Sequence, residues 1–411
     1  MGDQREAFAK RREALGFTQQ TFAEQLKAEL SAVGRWERGT QTPQAWRRPR
    51  IAELLRVSLD ELDVLLNPAS NLVRAATSNR REVMVDDALL AEGPASHRAG
   101  KRGEDSRRSR LDPAGLSARI ADLHRRYQAA RYADVAQRLP SVREAVNDLI
   151  IEIPAQKRRE ARRLQCSLEI VAAKLATKRG DGEAGLAAAE LARMAAETAE
   201  DTFGLAAAAY QRACALLRTS GTEGSEQMRD AEELAVSAAA ALRDQDAAST
   251  TWRGALTLIG AVIAARRADH AEADERLDHA DELAVRLGVD GNIGWTAFGP
   301  SNVLIHRTAV SVALNDPHRA LATAEQLDIT GLPAGLNGRQ AQFHLDSAWA
   351  HTRLNEDPQA VIHLLETERV APELVQANSN ARSLITELLA RERRVEVPAL
   401  RGLAVRAGAA V

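Results

Sequence analysis

The chain has 411 residues and a formal net charge of −2, with 45% apolar, 27% charged and only 3% aromatic residues. A single hydrophobic core stops growing at roughly 250–300 residues, so this length predicts two or more domains. The apolar fraction is high enough to bury a core. The first residues are charged, and no run of about 18 uncharged apolar residues occurs, so the sequence predicts a cytoplasmic protein without a membrane segment.

Apolar residues recur at i, i+3 and i+4 along most of the chain, and almost no stretch alternates in the manner of a β-strand. The sequence therefore predicts an all-α fold. Cys166 and Cys214 lie within these helical patterns and are expected to be small core residues in a reducing compartment. Residues 1–50 hold ten Lys and Arg against six Asp and Glu, which predicts a small front module that faces a polyanion.

Residues 6–66 have the pattern of four or five short helices. Gly16 can cap the end of the first helix, Thr18 the start of the second, and Gly39 closes a third, SAVGRWER. Ser58, followed by Glu61 three residues later, begins the last helix with a capping-box pattern. Helices this short are marginal alone, so they must share one core. The expected core residues are Phe22, Ala23, Leu26, Ala28, Val33, Trp36, Ile51, Leu54, Leu55, Val57, Leu62 and Leu65.

A stretch rich in Gly, Ser, Pro and alternating charge follows the short helices, and it predicts a flexible linker. Its basic end, HRAGKRGEDSRRSR, either adds nonspecific phosphate contacts or is a solvated run of charge. The predicted parts of the chain are thus a front module at residues 1–67, a linker at 68–113 and a helical-repeat domain at 114–411.

The third part contains a recurring phrase that begins with alanine near the end of a helix and finishes in a polar break. The phrases are AAKLATKRGD, ACALLRTSGT, AVIAARRADH, AVSVALNDPH and AWAHTRLNED. Their first residues are Ala172, Ala213, Ala261, Ala309 and Ala348, so the spacings are 41, 48, 48 and 39 residues. This spacing is typical of stacked helical hairpins and resembles tetratricopeptide repeats with lengthened units. Such arrays form an α-solenoid with an extended concave surface.

Residues 17–39, FTQQTFAEQLKAELSAVGRWERG, place a helix, a tight turn and a second helix that ends in Glu-Arg-Gly. This pattern resembles the helix-turn-helix of the Cro/repressor (XRE) family of DNA-binding proteins, over about residues 5–66. The continuation TPQAWRRPRIAELLRVSLDEL resembles actinobacterial members that carry a long helical-repeat domain, and that resemblance covers most of the chain.

In such a motif one helix lies over the phosphates while the other enters the major groove, which is about 12 Å wide. Val33 and Trp36 point inward, which leaves Leu30, Ser31, Gly34 and Arg35 as the expected exposed face. The family pattern places Leu30, Ser31 and Arg35 where base edges are contacted. Arg35 is the strongest candidate, because a guanidinium can bind guanine O6 and N7 together, which discriminates by about 1–3 kcal/mol.

The resemblance also assigns roles outside the recognition helix. Gln19 matches a glutamine that contacts phosphate and braces that helix, and Arg12 and Glu37 are expected to form an internal ion pair. Arginines after the motif are candidate phosphate contacts. The predicted DNA-binding residues are Gln19, Leu30, Ser31, Arg35, Arg38, Arg47 and Arg48.

Two features depart from the family pattern. Lys27 occupies the turn where glycine is usual, which costs on the order of 1 kcal/mol if that residue is left-handed. The recognition helix begins Glu29-Leu30 instead of a small polar cap and a polar reader, and an acidic group near phosphate weakens affinity. Target specificity therefore does not transfer from relatives.

No catalytic or metal-binding motif occurs: the sequence has no GxxxxGK[ST], GxSxG, HExxH or CxxC pattern. The nine histidines are scattered, and those in the repeats lack cysteine or paired acids at ligand spacing. The sequence predicts a protein that is not an enzyme and has no metal or cofactor.

The segment LGVDGNIGWTAFGPSNVLIHRTAV, residues 287–310, places aromatic residues in a long loop between hairpins, where a plain connector is polar. It has two interpretations: a ligand pocket in the concave groove, or an inter-repeat plug whose rings fill a gap left by alanine. Asparagine can hydrogen-bond both groups of a peptide backbone, which suits the first. The residues predicted to bind ligand are Arg253, Trp295, Asn302, His306 and His344.

These patterns predict a transcriptional regulator whose front module binds a double-stranded DNA operator and whose repeat domain dimerises and senses a peptide, small molecule or protein. The alternative is a helical-repeat interaction scaffold whose front module has lost sequence-specific DNA binding. Lys27, Glu29 and Leu30 favour the alternative.

Overall fold

A computed structural model of the chain describes residues 5–26, 28–43, 47–57, 62, 65–66, 112–219, 226–391 and 398–409. Contacts divide the chain into two compact units, Met1–Ala99 and Gly100–Val411. The described residues form helices and no strand, which confirms the all-α prediction. None of their helices is long and apolar enough to cross a membrane. Most of the predicted linker lies outside the described residues.

The described helices of the first unit are α1 (Glu6–Ala14), α2 (Gln19–Gln25), α3 (Leu30–Glu37) and α4 (Arg48–Leu55). The predicted helix ends at Gly16 and Gly39 are confirmed, since both glycines have left-handed φ angles of 80° and 73°. Thr18 caps α2 as expected, because its hydroxyl accepts from the Thr21 N–H. The predicted capping box at Ser58 and Glu61 lies outside the described residues.

The core of the first unit contains the expected large side chains. Phe22, Val33 and Trp36 are buried together. Phe8, which the expected core omits, is also fully buried, with its ring edge on Phe22 at a centroid distance of 6.3 Å. This contact joins α1 to α2 within the shared core of the first unit.

The second unit begins with hairpins of longer helices. Their bounds are α5 (Pro113–Gln128), α6 (Tyr132–Glu152), α7 (Arg158–Lys178), α8 (Gly182–Ala199), α9 (Thr202–Thr219), α10 (Glu226–Ala241), α11 (Ala247–Arg266), α12 (His270–Leu287), α13 (Pro300–Ala313), α14 (Pro317–Ala324), α15 (Asn337–Arg353) and α16 (Asp357–Val370). Three further helices follow, α17 (Pro372–Ala377), α18 (Ser379–Arg391) and α19 (Pro398–Ala407).

Five hairpins share one turn geometry. The first helix ends at a left-handed residue, and the N–H of the next residue donates to the carbonyl five residues earlier, at 2.9–3.0 Å. The left-handed residues are Ala130, Gly180, Ala268, Asn315 and Asn355. Aspartates then cap three of the following helices, at Asp181, Asp269 and Asp316. The polar breaks in the recurring phrases are these turns.

The first helices of the six hairpins form a closed series. Each of α5, α7, α9, α11, α13 and α15 packs against the next, and α15 packs against α5. Leu116 and Ile120 of α5 accordingly share one core with Leu345 of α15. The Ala133 N–H also donates to Glu373 Oε2 at 2.7 Å. The expected extended concave surface is therefore closed into a central space, because the ends of the series meet.

The loop between α12 and α13 extends into this space. Phe298 is fully buried, and its ring lies on the bare backbone of Gly254 in α11, where a Cβ atom would be 1.9 Å from the ring. Trp295 stacks on His124 of α5, with ring centroids 4.9 Å apart and planes 1° apart. Asn292 and Gln128 exchange two amide hydrogen bonds of 2.9 Å. The loop thus connects α11 to α5 across the centre.

We expect Gly254→Ala to lower the free energy of unfolding of the second unit by about 1–3 kcal/mol, because the added methyl group displaces the Phe298 ring. Thermal unfolding by calorimetry measures the change. Gly338→Ala is the matched control, since a Cβ there meets its nearest atom at 3.5 Å and alanine favours a helix. Equal stability of the two variants would contradict the described loop packing.

Candidate functional site

Glu37 connects three helices of the first unit. Its Oε1 accepts from Arg12 Nε and its Oε2 from Gln19 Nε2, both at 2.6 Å. Arg12 and Glu37 are both buried, so the ion pair that the family resemblance implies is confirmed. Removing the Glu37 charge would leave the buried Arg12 with only the exposed Glu13 as an ionic partner, at 3.0 Å, which is costly. The pair therefore fixes α3 against α1 and the start of α2.

The outward face of α3 carries the predicted base-reading residues. Leu30 is 51% exposed and Ser31 is exposed, while Arg35 is half-buried. The expectation that Gly34 belongs to this face is wrong. Gly34 is buried because the Arg38 guanidinium lies over it, 3.1 Å from where a Cβ would be.

The Arg35 guanidinium is held at one point only. Its Nε donates to Gln41 Oε1 at 2.8 Å, and its two terminal nitrogens make no hydrogen bond to any residue that the structure describes. The side chain is therefore positioned by Gln41 while its two terminal nitrogens keep their N–H donors for a partner. Such a pair of donors matches the paired acceptors of a guanine edge.

The three remaining arginines differ in exposure. Arg38 is exposed, whereas Arg47 is half-buried and donates to the Leu26 carbonyl at 3.1 Å. Burial lowers the pKa of Arg47. Arg48 is only 8% exposed, and its Nε donates to the Pro43 carbonyl at 3.2 Å. Because this guanidinium is buried, Arg48 does not belong to the exposed candidate phosphate contacts.

The start of α3 is unusual, as the sequence indicates. Glu29 occupies the cap position, but its side chain accepts no bond from the helix backbone. It accepts instead from the Ser31 hydroxyl at 3.1 Å. The Glu29 carboxylate is thus tied to a predicted base-reading residue. Lys27, the other departure from the family pattern, lies outside the described residues.

The central space of the second unit is a cavity of about 240 Å³. Helices α5, α6, α7, α9, α11 and α15 and the inward loop supply its walls. Its aromatic residues are Tyr127, Tyr132, Tyr210, Trp252 and Trp295, and its basic residues are Lys174, Lys178, Arg218 and Arg339. The lining also includes the amides of Gln128, Gln211 and Gln342. Among the residues that the structure describes, no carboxylate belongs to the lining.

The two lysines of this cavity are poorly solvated. Burial lowers the pKa of Lys174 to about 7 and that of Lys178 to about 8, and the Arg339 charge lowers both further. In the described part of the chain, none of the four cations forms an ion pair. Asp346, which lies behind the wall, makes one hydrogen bond through Oδ1 to Gln342, and burial raises its pKa to about 7.

The structure does not bring the five predicted ligand residues together. Trp295 lines the central cavity, whereas Arg253 lines a separate one between α10, α11 and α12. Asn302 and His306 are buried side by side, with His306 Nδ1 at 2.8 Å from the Asn302 carbonyl. Burial lowers the pKa of His306 to about 3. His344 is buried with its Nδ1 3.1 Å from Nδ1 of His363.

Sequence reasoning missed most of the cavity, although two signals were present. All three tyrosines of the chain line it, in a protein with very few aromatics. Lys174 and Lys178 are four residues apart on one face of α7. Either feature alone resembles ordinary core or surface. No group of acidic, histidine or cysteine side chains within the described ranges is arranged to hold a metal ion.

No family model, no curated protein and no solved structure matches the chain.

We expect Glu37→Gln to destabilise the first unit by about 1–3 kcal/mol, because the buried Arg12 then keeps only the exposed Glu13 as a counter-charge. Amide hydrogen exchange of peptides spanning residues 5–57 measures this unit separately. Glu53→Gln is the control: it removes an exposed ion pair with Arg50, which contributes less than about 1 kcal/mol. If both variants exchange alike, Glu37 does not hold the helices together.

Proposed function

We propose that this protein is a transcriptional regulator whose first unit binds a DNA operator through α3. The proposal rests on one observation: buried contacts fix the position of α3, and an arginine on its outer face keeps N–H donors that bind no described residue. Glu37 holds α1, α2 and α3 through Arg12 and Gln19, and Arg35 projects two uncommitted N–H-bearing nitrogens from the outer face of α3. Recognition needs such a preorganised group on a rigid element.

The exposure of each residue on this face suggests whether it contacts bases or phosphates. Arg35 and Ser31 are the base-reading candidates, and Leu30 offers an apolar contact for a thymine methyl group. Arg38 and Gln19 supply phosphate contacts, which position the protein without selecting sequence. Glu29 reduces affinity through repulsion of phosphate, so we expect moderate overall affinity.

The second unit is proposed to dimerise and to sense a signal. A two-fold dimer would place two recognition helices on half-sites about one helical turn apart, and this predicts a paired operator. The signal would be a ligand of the central cavity, because that is where polar and aromatic groups converge in the second unit.

The test is selection of genomic DNA fragments by the full-length protein at near-physiological salt, followed by affinity measurements on the selected site. Arg35→Ala is expected to weaken binding to that site by about 1–3 kcal/mol, since a bidentate base contact is lost. Arg50→Ala is the matched control. It removes an equal charge that is exposed and paired with Glu53 on α4.

Two results would contradict the proposal. Binding that is sensitive to salt but blind to sequence would favour the interaction scaffold, since phosphate contacts alone give that behaviour. Equal losses from Arg35→Ala and Arg50→Ala would show that Arg35 acts only through its charge.

A further inference from the structure

The central cavity brings several basic side chains together. Lys174, Lys178 and Arg339 face it from α7 and α15, and no carboxylate of the described residues lines it. Like charges held together in a poorly solvated space destabilise the fold unless something neutralises them. Asp346, which is outside the lining, interacts electrostatically with Lys178, but burial raises the pKa of its carboxyl group. The described acids therefore offset this group of cations only in part.

The cavity is enriched in aromatic residues as well as in basic residues. The chain has three tyrosines and five tryptophans, and every tyrosine and two of the tryptophans line this space. Lys174 Nζ lies 6.0 Å from the Tyr127 ring centroid. Burial raises the pKa of Tyr127 and Tyr132, so their hydroxyls stay protonated and can donate hydrogen bonds. Flat rings and neutral donors beside cations suit a planar anion.

The size of the cavity limits the ligand. A volume of about 240 Å³ equals the share of roughly eight water molecules in the liquid, which admits a small organic molecule. Trp295 closes one wall, because its ring is fixed against His124. Arg218, which also lines the cavity, is exposed and marks the side that meets solvent.

We propose that the central cavity binds a small organic anion, in which a carboxylate or phosphate is joined to a planar ring. Lys174, Lys178 and Arg339 bind the charged group, and the tyrosines and tryptophans contact the ring. Binding of this ligand does not depend on the proposed DNA recognition. Its use as a signal rests on the proposed function.

Isothermal titration of the full-length protein with four probes tests this inference. Benzoate and phenyl phosphate carry both features, benzamide has the ring without the charge, and inorganic phosphate has the charge without the ring. We expect at least one ringed anion to bind at least about tenfold more tightly than benzamide and than inorganic phosphate. Whichever ringed anion binds better identifies the head group.

Lys174→Gln separates a binding role from a structural one. In the free protein we expect it to raise the melting temperature by a few degrees, because a desolvated and unpaired charge is removed. We also expect it to weaken the ringed anion at least about tenfold. Lys157→Gln, at an exposed lysine, should change neither quantity.

The proposal is overturned if neither ringed anion binds saturably up to about 10 mM, or if benzamide equals benzoate and phenyl phosphate. Unchanged affinity in Lys174→Gln, or a lower melting temperature of that free variant, would also overturn it. The titration contains no DNA, so its failure leaves the proposed operator binding intact. Failure of the operator selection likewise leaves the anion site intact.

Discussion

The contact between the Phe298 ring and the backbone of Gly254 positions the loop that extends into the centre of the second unit. Alanine-rich helices pack closely in pairs, but a closed series of six hairpins leaves space at its centre. The ring reaches α11 only because Gly254 has no side chain, and this contact positions the inward loop. Trp295 is then placed against α5, where it forms one wall of the cavity. One glycine thus allows the loop to fill part of the centre while a cavity remains beside it, so the two interpretations of this segment are not exclusive.

In the first unit a buried charged residue, Glu37, positions the helices. In the second unit a buried aromatic ring, Phe298, positions the inward loop. Glu37 is held by Arg12 and Gln19, and this polar cluster lies beneath the helix whose outer face carries Arg35. Buried polar groups that are fully hydrogen-bonded set a unique geometry, at a cost if one member is lost. In the central cavity the four cations instead form no ion pair with any residue that the structure describes. Glu37 therefore stabilises the fold of the first unit, whereas the cavity cations are the residues proposed to bind a ligand.

Local features of the chain could be predicted, and features that depend on distant contacts could not. The Thr18 cap and the left-handed Gly39 follow from residue type, and the Arg12–Glu37 pair follows from the family pattern. The burial of Gly34 could not be foreseen, because it depends on how the long Arg38 side chain folds back. Closure of the series of hairpins could not be foreseen either, since small rotations between hairpins accumulate along the unit. Without that closure, Gln128 of α5 and Arg339 of α15 would not line the same cavity.

The central claim is that the second unit encloses an anion-binding cavity whose cations form no ion pair within the described residues. A crystal structure of the full-length protein grown with bromide, with diffraction measured at the bromine absorption edge, tests it directly. The account predicts anomalous density inside the cavity near Lys174, Lys178 and Arg339, with Trp295 still stacked on His124. Bromide bound only on the outer surface, or an inward loop withdrawn from α5, would contradict it.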